Sequence, residues 1–102
     1  MALFNLGLNE TIVSLTRRRM LQVWVFSYCY YELNESPISD ETWTKWAMEL
    51  VDLIKKHPKE FRTIRHHEIF EDFDGNTGYH LVKYATPALI TKAYMLTGRK
   101  VK

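Results

Sequence analysis

One cysteine, four glycines and three prolines stand in a chain of 102 residues. A lone Cys29 excludes an intrachain disulfide and any Cys-based zinc site. Set between Tyr28 and Tyr30 in an apolar stretch, it reads as a buried, inert thiol. So few glycines provide no phosphate-cradling loop, and neither a nucleophile elbow nor a paired zinc-ligand motif is present. Charge of one sign is also scarce. The formal net charge of +2 is too small to argue for nucleic acid by itself. Long apolar runs are missing too. Met20 to Tyr31 holds Gln22 and Ser27 and is too short and too polar to span a bilayer. It starts late and lacks a small-residue cleavage site, so it does not read as a signal peptide. A cytoplasmic location without membrane contact is the expectation.

What is present is a globular composition, 46% hydrophobic and 25% charged, which predicts one domain over residues 1–102 and excludes general disorder. Aromatics make up 14% of the chain, enough for a dense small core or for an interface. Basic residues cluster at Arg17, Arg18 and Arg19 and again at Arg99, Lys100 and Lys102. The triplet reads as a solvated helix face or a partner-facing rim.

The pattern predicts a mainly α fold. Residues 1–8 (MALFNLGL) are apolar without a clear period, an arm for the core or for a partner. Asn9 is a candidate N-cap, with Glu10 in the first turn, for a helix running from about 10 to 33. Val23 to Tyr31 is apolar on nearly every face, which implies burial within the domain or against a partner. Its Val23-Trp24-Val25-Phe26 run also fits a strand, but no breaker interrupts residues 10–33. Pro37 lies in a turn over 34–39, and Ser39 or Asp40 caps a second helix over 40–57. There Trp43, Trp46, Ala47, Leu50, Leu53 and Ile54 follow helical spacing, and Pro58 stops the run. The two helices predict an antiparallel αα-hairpin. Beyond it, a short helix fits part of 59–71, and Asp74-Gly75-Asn76-Thr77-Gly78 is a turn signal. A small β-hairpin around 70–84 is one reading of the flanks. Thr86-Pro87 opens a last helix over 87–97 that Gly98 closes.

Two clusters suggest metal chemistry and fall short of it. Asp72-Phe73-Asp74-Gly75-Asn76 resembles the start of a calcium loop, yet Thr77 stands where glycine is required and Lys83 where a bidentate Glu belongs. His66, His67 and His80, with Glu68 and Asp72, are the residue types a metal-assisted nuclease uses. Adjacent histidines point apart, so surface histidines are the simpler expectation and no metal is assigned. No complete catalytic motif is found, and the chain is expected not to be an enzyme.

The most informative stretch is Tyr30-Tyr31, the turn, then Asp40 and Trp43. It places aromatic rings and a carboxylate at a helix–turn–helix junction. Core, rim and cap roles explain them simply. Stacking on a planar heterocycle, with Asp40 on a ribose hydroxyl, is the sharper alternative.

Tyr-Tyr-x8-Asp followed by an amphipathic helix ending in Lys56-His57-Pro58 resembles the N-terminal Ia domain of the bacterial NAD-dependent DNA ligases, over about residues 18–61. Residues 62–102 are an extension to it. The resemblance implies a helical hairpin that closes over the nicotinamide mononucleotide half of NAD. It places ligand-contacting positions on Tyr30, Tyr31 and Asp40. Two further contacts, a Tyr-Asp pair in the family, fall on Trp43 and Thr44, so the ring is kept and the second carboxylate is not. The reactive lysine of Lys-x-Asp-Gly is replaced by Asp72, and the length leaves no room for an adenylation domain. The chain resembles the small stand-alone ligase-like proteins of bacteriophages.

The functional expectation is a non-catalytic interaction module that binds and inhibits or modulates a host defence or DNA-metabolism protein in the host cytoplasm, or that pairs with a second copy. Trp24, Phe26, Tyr28 and Tyr31 are its expected anchors, with Arg17, Arg18 and Arg19 as a charged rim. The alternative is a protein that binds or sequesters NAD or a nicotinamide nucleotide through Tyr30, Tyr31, Asp40 and Trp43. A weaker third is a nucleic-acid binder or nuclease using the histidines and the basic tail.

Overall fold

Thr11 opens the first helix of the computed structural model, which describes residues 11–98. Its extended backbone lets Oγ1 accept the Ser14 N–H at 3.0 Å, satisfying one of the donors that a helix start leaves orphaned. The described helix α1 (Ile12–Glu32) is thus capped by Thr11. The cap expected at Asn9, the Glu10 charge, the apolar stretch 1–8 and the basic tail all lie outside the described residues. The strand alternative for Val23–Phe26 is overturned, since the run is helical throughout. At the far end Asn34 takes a left-handed conformation (φ 56°) that Asn tolerates, and the Glu35 N–H turns back to the Cys29 carbonyl at 3.0 Å.

Ser39, not Asp40, caps helix α2 (Asp40–Lys56), its Oγ accepting the Thr42 N–H at 3.1 Å. Asp40 and Glu41 sit in the first turn and Lys55 and Lys56 in the last, both in the sense the helix dipole favours. Side chains pair Ser27 with Trp43, Phe26 with Trp46 and Arg19 with Glu49, so α1 and α2 run antiparallel.

The rest of the chain wraps the other side of α1. Pro58 starts a single turn, α3 (Pro58–Phe61), and a 3-10 turn follows at His67–Phe70. Phe61, Ile64, Phe70 and Phe73 are buried from this segment. Helical turn α4 (Tyr79–Val82) and helix α5 (Pro87–Leu96) complete it, α5 capped by Thr86 with Pro87 at its first position. Trp24 reaches across to donate its indole N–H to the Leu81 carbonyl at 2.9 Å. Cys29 lies against Ala93, its Sγ 3.8 Å from that carbonyl.

The β-hairpin around 70–84 does not form, and no strand occurs among the described residues. Local side-chain bonds redirect the chain instead. Asp74 accepts the Asn76 N–H at 2.9 Å, Gly75 takes φ 86°, and Thr77 Oγ1 accepts the Tyr79 N–H at 3.2 Å. These bonds end the turn in α4 rather than in a returning strand. No described helix is long and apolar enough to cross a membrane.

Candidate functional site

Three segments meet at the hairpin junction and leave a cleft between them. The C-terminal end of α1 contributes Ser27, Tyr30 and Tyr31, the turn and first turn of α2 contribute Pro37, Asp40 and Trp43, and residues 76–78 close the third side. Gly78 explains the close approach of that third wall. A Cβ there would collide with Ser27 Oγ, lie 2.8 Å from Ser27 Cβ and stand 3.3 Å from the Trp43 ring. Behind the wall, the Trp43 indole N–H points to Ser27 Oγ at 3.3 Å, and Ser27 Oγ donates to the Val23 carbonyl at 2.6 Å. A buried serine is thereby satisfied and Trp43 is held in place.

The mouth is a row of phenol rings. Tyr30 and Tyr31 stand edge to face with centroids 4.9 Å apart, and Tyr31 meets Tyr79 at 5.1 Å. Tyr31 also shares a hydrogen bond with Thr77 Oγ1 at 2.9 Å, which pins its ring between two segments. All three rings remain exposed, Tyr79 at 66%. Asp40 is the one charged side chain among the described lining residues. It is exposed and has no hydrogen-bond or ion-pair partner among the described residues. The cleft therefore combines electron-rich ring surfaces with an uncompensated carboxylate, a setting that attracts a cation. Its space is about 90 Å³. That is room for roughly six waters on the same measure, or for one ring with a small substituent, but not for a dinucleotide.

Tyr30, Tyr31, Asp40 and Trp43 are thus brought together. Thr44 is exposed on α2 outside the cleft lining. Sequence reasoning missed Ser27, Asn76, Thr77, Gly78 and Tyr79. The glycine-rich turn was visible, but nothing local to it says that it packs over Ser27.

The expected partner-facing anchors fare differently. Trp24 is 2% exposed, with its edge toward His66 and Phe70, so it is a core residue rather than a surface anchor. Arg19 is not a free rim cation. Its Nε donates to Glu49 at 2.9 Å, its Nη1 to Gln22 at 2.8 Å, and its guanidinium lies 5.9 Å from the Trp46 ring. Arg17 and Arg18 are exposed, Phe26 is half-buried against Trp46, and Tyr28 is half-buried. Burial, then Tyr94 and Glu32, push the Tyr28 phenol above its ordinary pKa.

The histidines point to separate neighbours. His66 meets Trp24, His67 bonds Glu71 at 3.1 Å, and His80 faces Phe73. Both Asp74 oxygens are engaged by Asn76 in the turn. Among the described residues no three His, Cys, Asp or Glu side chains gather as an ion site requires. No protein-family model, curated protein or solved structure matches the chain.

Proposed function

We propose that this chain is a non-catalytic binding module whose junction cleft receives a flat cationic ring of the nicotinamide type, carried on a ribose phosphate. The observation that supports it is the convergence of Tyr30, Tyr31, Asp40 and Trp43 on one cleft whose lone charge is an unpaired carboxylate. A pyridinium ring is planar and positive, so it stacks on phenol faces while Asp40 meets the charge or a ribose hydroxyl. The space admits the ring alone, which leaves the phosphate and anything beyond it outside the cleft. The resemblance to the ligase Ia domain implies ligand contacts at Tyr30, Tyr31, Asp40 and Trp43, and also at Thr44, which lacks the family's carboxylate and stands outside the cleft lining.

Calorimetry with nicotinamide mononucleotide, NAD and ADP-ribose tests it. Binding of the first two, absent for ADP-ribose and lost in Asp40→Ala, is the expected pattern. No heat at about millimolar mononucleotide ends the proposal. Bound ligand also raises stability, by about 2.7 kcal/mol at a hundredfold excess over Kd, and Asp40→Ala should abolish that shift.

The reading of the chain as a modulator of a host protein through Trp24, Phe26, Tyr28, Tyr31 and the arginine triplet ranks second, because two of those residues, Trp24 and Arg19, are engaged inside the fold. A nuclease role ranks below it, because the three histidines face different neighbours.

A further inference from the structure

Charge is sorted along the hairpin. Residues 20–44 hold Glu32, Glu35, Asp40 and Glu41 and no lysine or arginine. Residues 55–65 hold Lys55, Lys56, Lys59, Arg62 and Arg65 against a single carboxylate, Glu60. Asp40 and Lys56 mark the two ends of α2, about 25 Å apart. The basic segment turns its apolar residues inward: Leu53, Phe61 and Ile64 are buried, and Glu60 is half-buried. Lys55, Lys59, Arg62 and Arg65 are all exposed. The Arg62 N–H bonds the Pro58 carbonyl at 3.1 Å, so Lys59 and Arg62 stand one turn apart on the same outer side. Lys56 is answered by Asp52 at 3.2 Å, whereas those four cations have no hydrogen-bond or ion-pair partner among the described residues.

We propose that this end of the molecule binds the phosphate backbone of double-stranded DNA without reading its sequence. The small net charge does not oppose this. Asp40 lies about three Debye lengths from Lys56 at physiological salt, so the acidic end does not cancel the local field. Surface character selects the partner. No large apolar side chain is exposed from 49 to 78. A protein interface needs an aromatic or aliphatic anchor at its centre, and a membrane-surface helix needs an apolar face; neither is found on this segment. No exposed ring is there to stack on an unpaired base, which disfavours a single strand. Guanidinium groups bond phosphate oxygens in pairs, and closely repeated phosphates answer several cations at once. Such contacts hold a protein on a duplex and carry no sequence information. A duplex bound at the open end of the hairpin leaves the junction cleft free.

The test uses the full chain and labelled DNA of about 20 base pairs, in two unrelated sequences, followed by fluorescence anisotropy from low to physiological salt. Both duplexes are expected to bind alike, with Kd on the order of 10⁻⁵ M near physiological salt. Four phosphate contacts give a slope of about −3.6 in log K against log salt, and Lys59→Gln or Arg62→Gln should each reduce its magnitude by about 1. The triple variant with Arg65→Gln should lose binding, while Lys83→Gln, on α4, should leave it unchanged. These side chains are exposed, and circular dichroism of each variant checks that the fold is intact. A slope near −1, or Lys83→Gln as damaging as Arg62→Gln, overturns the proposal. So does a single strand that binds as tightly as the duplex, or poly-glutamate that displaces the duplex as well as unlabelled DNA does. Loss of binding on deletion of residues 99–102, with Arg62→Gln silent, assigns the contact to the tail and overturns it too. None of these outcomes depends on nicotinamide mononucleotide, so the two proposals fail separately.

Discussion

Helices α1 and α2 share one interface and solve burial in opposite ways. α2 is one-faced: Ala47, Leu50, Val51 and Leu53 are buried, while Glu41, Lys45, Asp52, Lys55 and Lys56 face water. α1 buries three consecutive residues, Val23, Trp24 and Val25, and so is covered on more than one side. α2 covers one of those sides and the segment from Pro58 to Leu96 covers another. A single-faced helix can be completed by one neighbour. A helix apolar almost all round needs a second cover, and that cover need not be regular. Here it is largely short turns hung from buried aromatic residues. The junction cleft arises where the two covers meet, at Ser27.

The sharpest way to break this comparison is to cut each side of α1 in turn. Trp24→Ala removes a fully buried ring and its bond to Leu81, and should cost about 3–5 kcal/mol in urea unfolding. Trp46→Ala, on the α2 side and half-buried against Phe26, should cost roughly half as much. Equal losses would mean that the C-terminal segment covers α1 no more tightly than α2 does.

Gly78→Ala comes next, at about 1–3 kcal/mol. The backbone there has φ −105°, which alanine adopts freely, so the cost is steric contact with Ser27. The double variant with Ser27→Gly should therefore recover part of the loss beyond what additivity allows. No recovery in the double-mutant cycle would separate the 76–78 wall from α1.

The same contrast explains what the sequence disclosed. Ser39, Pro58, Thr86, Pro87 and Gly98 mark helix ends through bonds and clashes within one turn, so the hairpin and α5 were legible from local residues. Tyr30, Tyr31, Asp40 and Trp43 could be grouped because a single hairpin closure brings them together. Trp24 was misplaced because its cover, Leu81, is 57 positions away. Arg19 was misplaced for a similar reason, since Glu49 lies on the other helix. The 79–82 segment was offered as a strand because its apolar residues do not reveal that Thr77 would bond the Tyr79 N–H. Long-range partners decide the first two cases and a side-chain bond between residues two apart decides the third, and neither period nor composition encodes them.

A smaller, pH-dependent effect probes the second cover. Burial, the larger cause, and the Glu35 carboxylate raise the Cys29 thiol above its ordinary pKa, against a backbone hydrogen bond that lowers it. The folded state therefore holds the proton more tightly than the unfolded one. The stability this contributes is full below the unfolded thiol pKa and is lost as pH rises through the folded value. The window opens at about pH 8.5 and extends upward. Urea midpoints at about pH 7 and about pH 9.5 should fall more for the wild type than for Cys29→Ala. Equal falls would mean that α5 does not seal the thiol.

The smallest effects divide neighbours at the start of α2. Ser39→Ala removes the side chain that accepts the Thr42 N–H and should cost about 1 kcal/mol. Asp40→Asn removes one charge from the first turn, where the dipole contribution is a few tenths of a kcal/mol. The cap and the carboxylate are thus adjacent but separable. If thermal unfolding shows Asp40→Asn to be as damaging as Ser39→Ala, the carboxylate is a structural group and is not spare for a ligand. If Asp40→Asn is nearly silent in unfolding yet removes the calorimetric response to nicotinamide mononucleotide, while Ser39→Ala keeps that response on a weaker fold, then the capping has been assigned to one residue. The charge at the cleft mouth belongs to the other, an exposed and unpaired carboxylate whose structural work is the small favourable interaction with the start of α2.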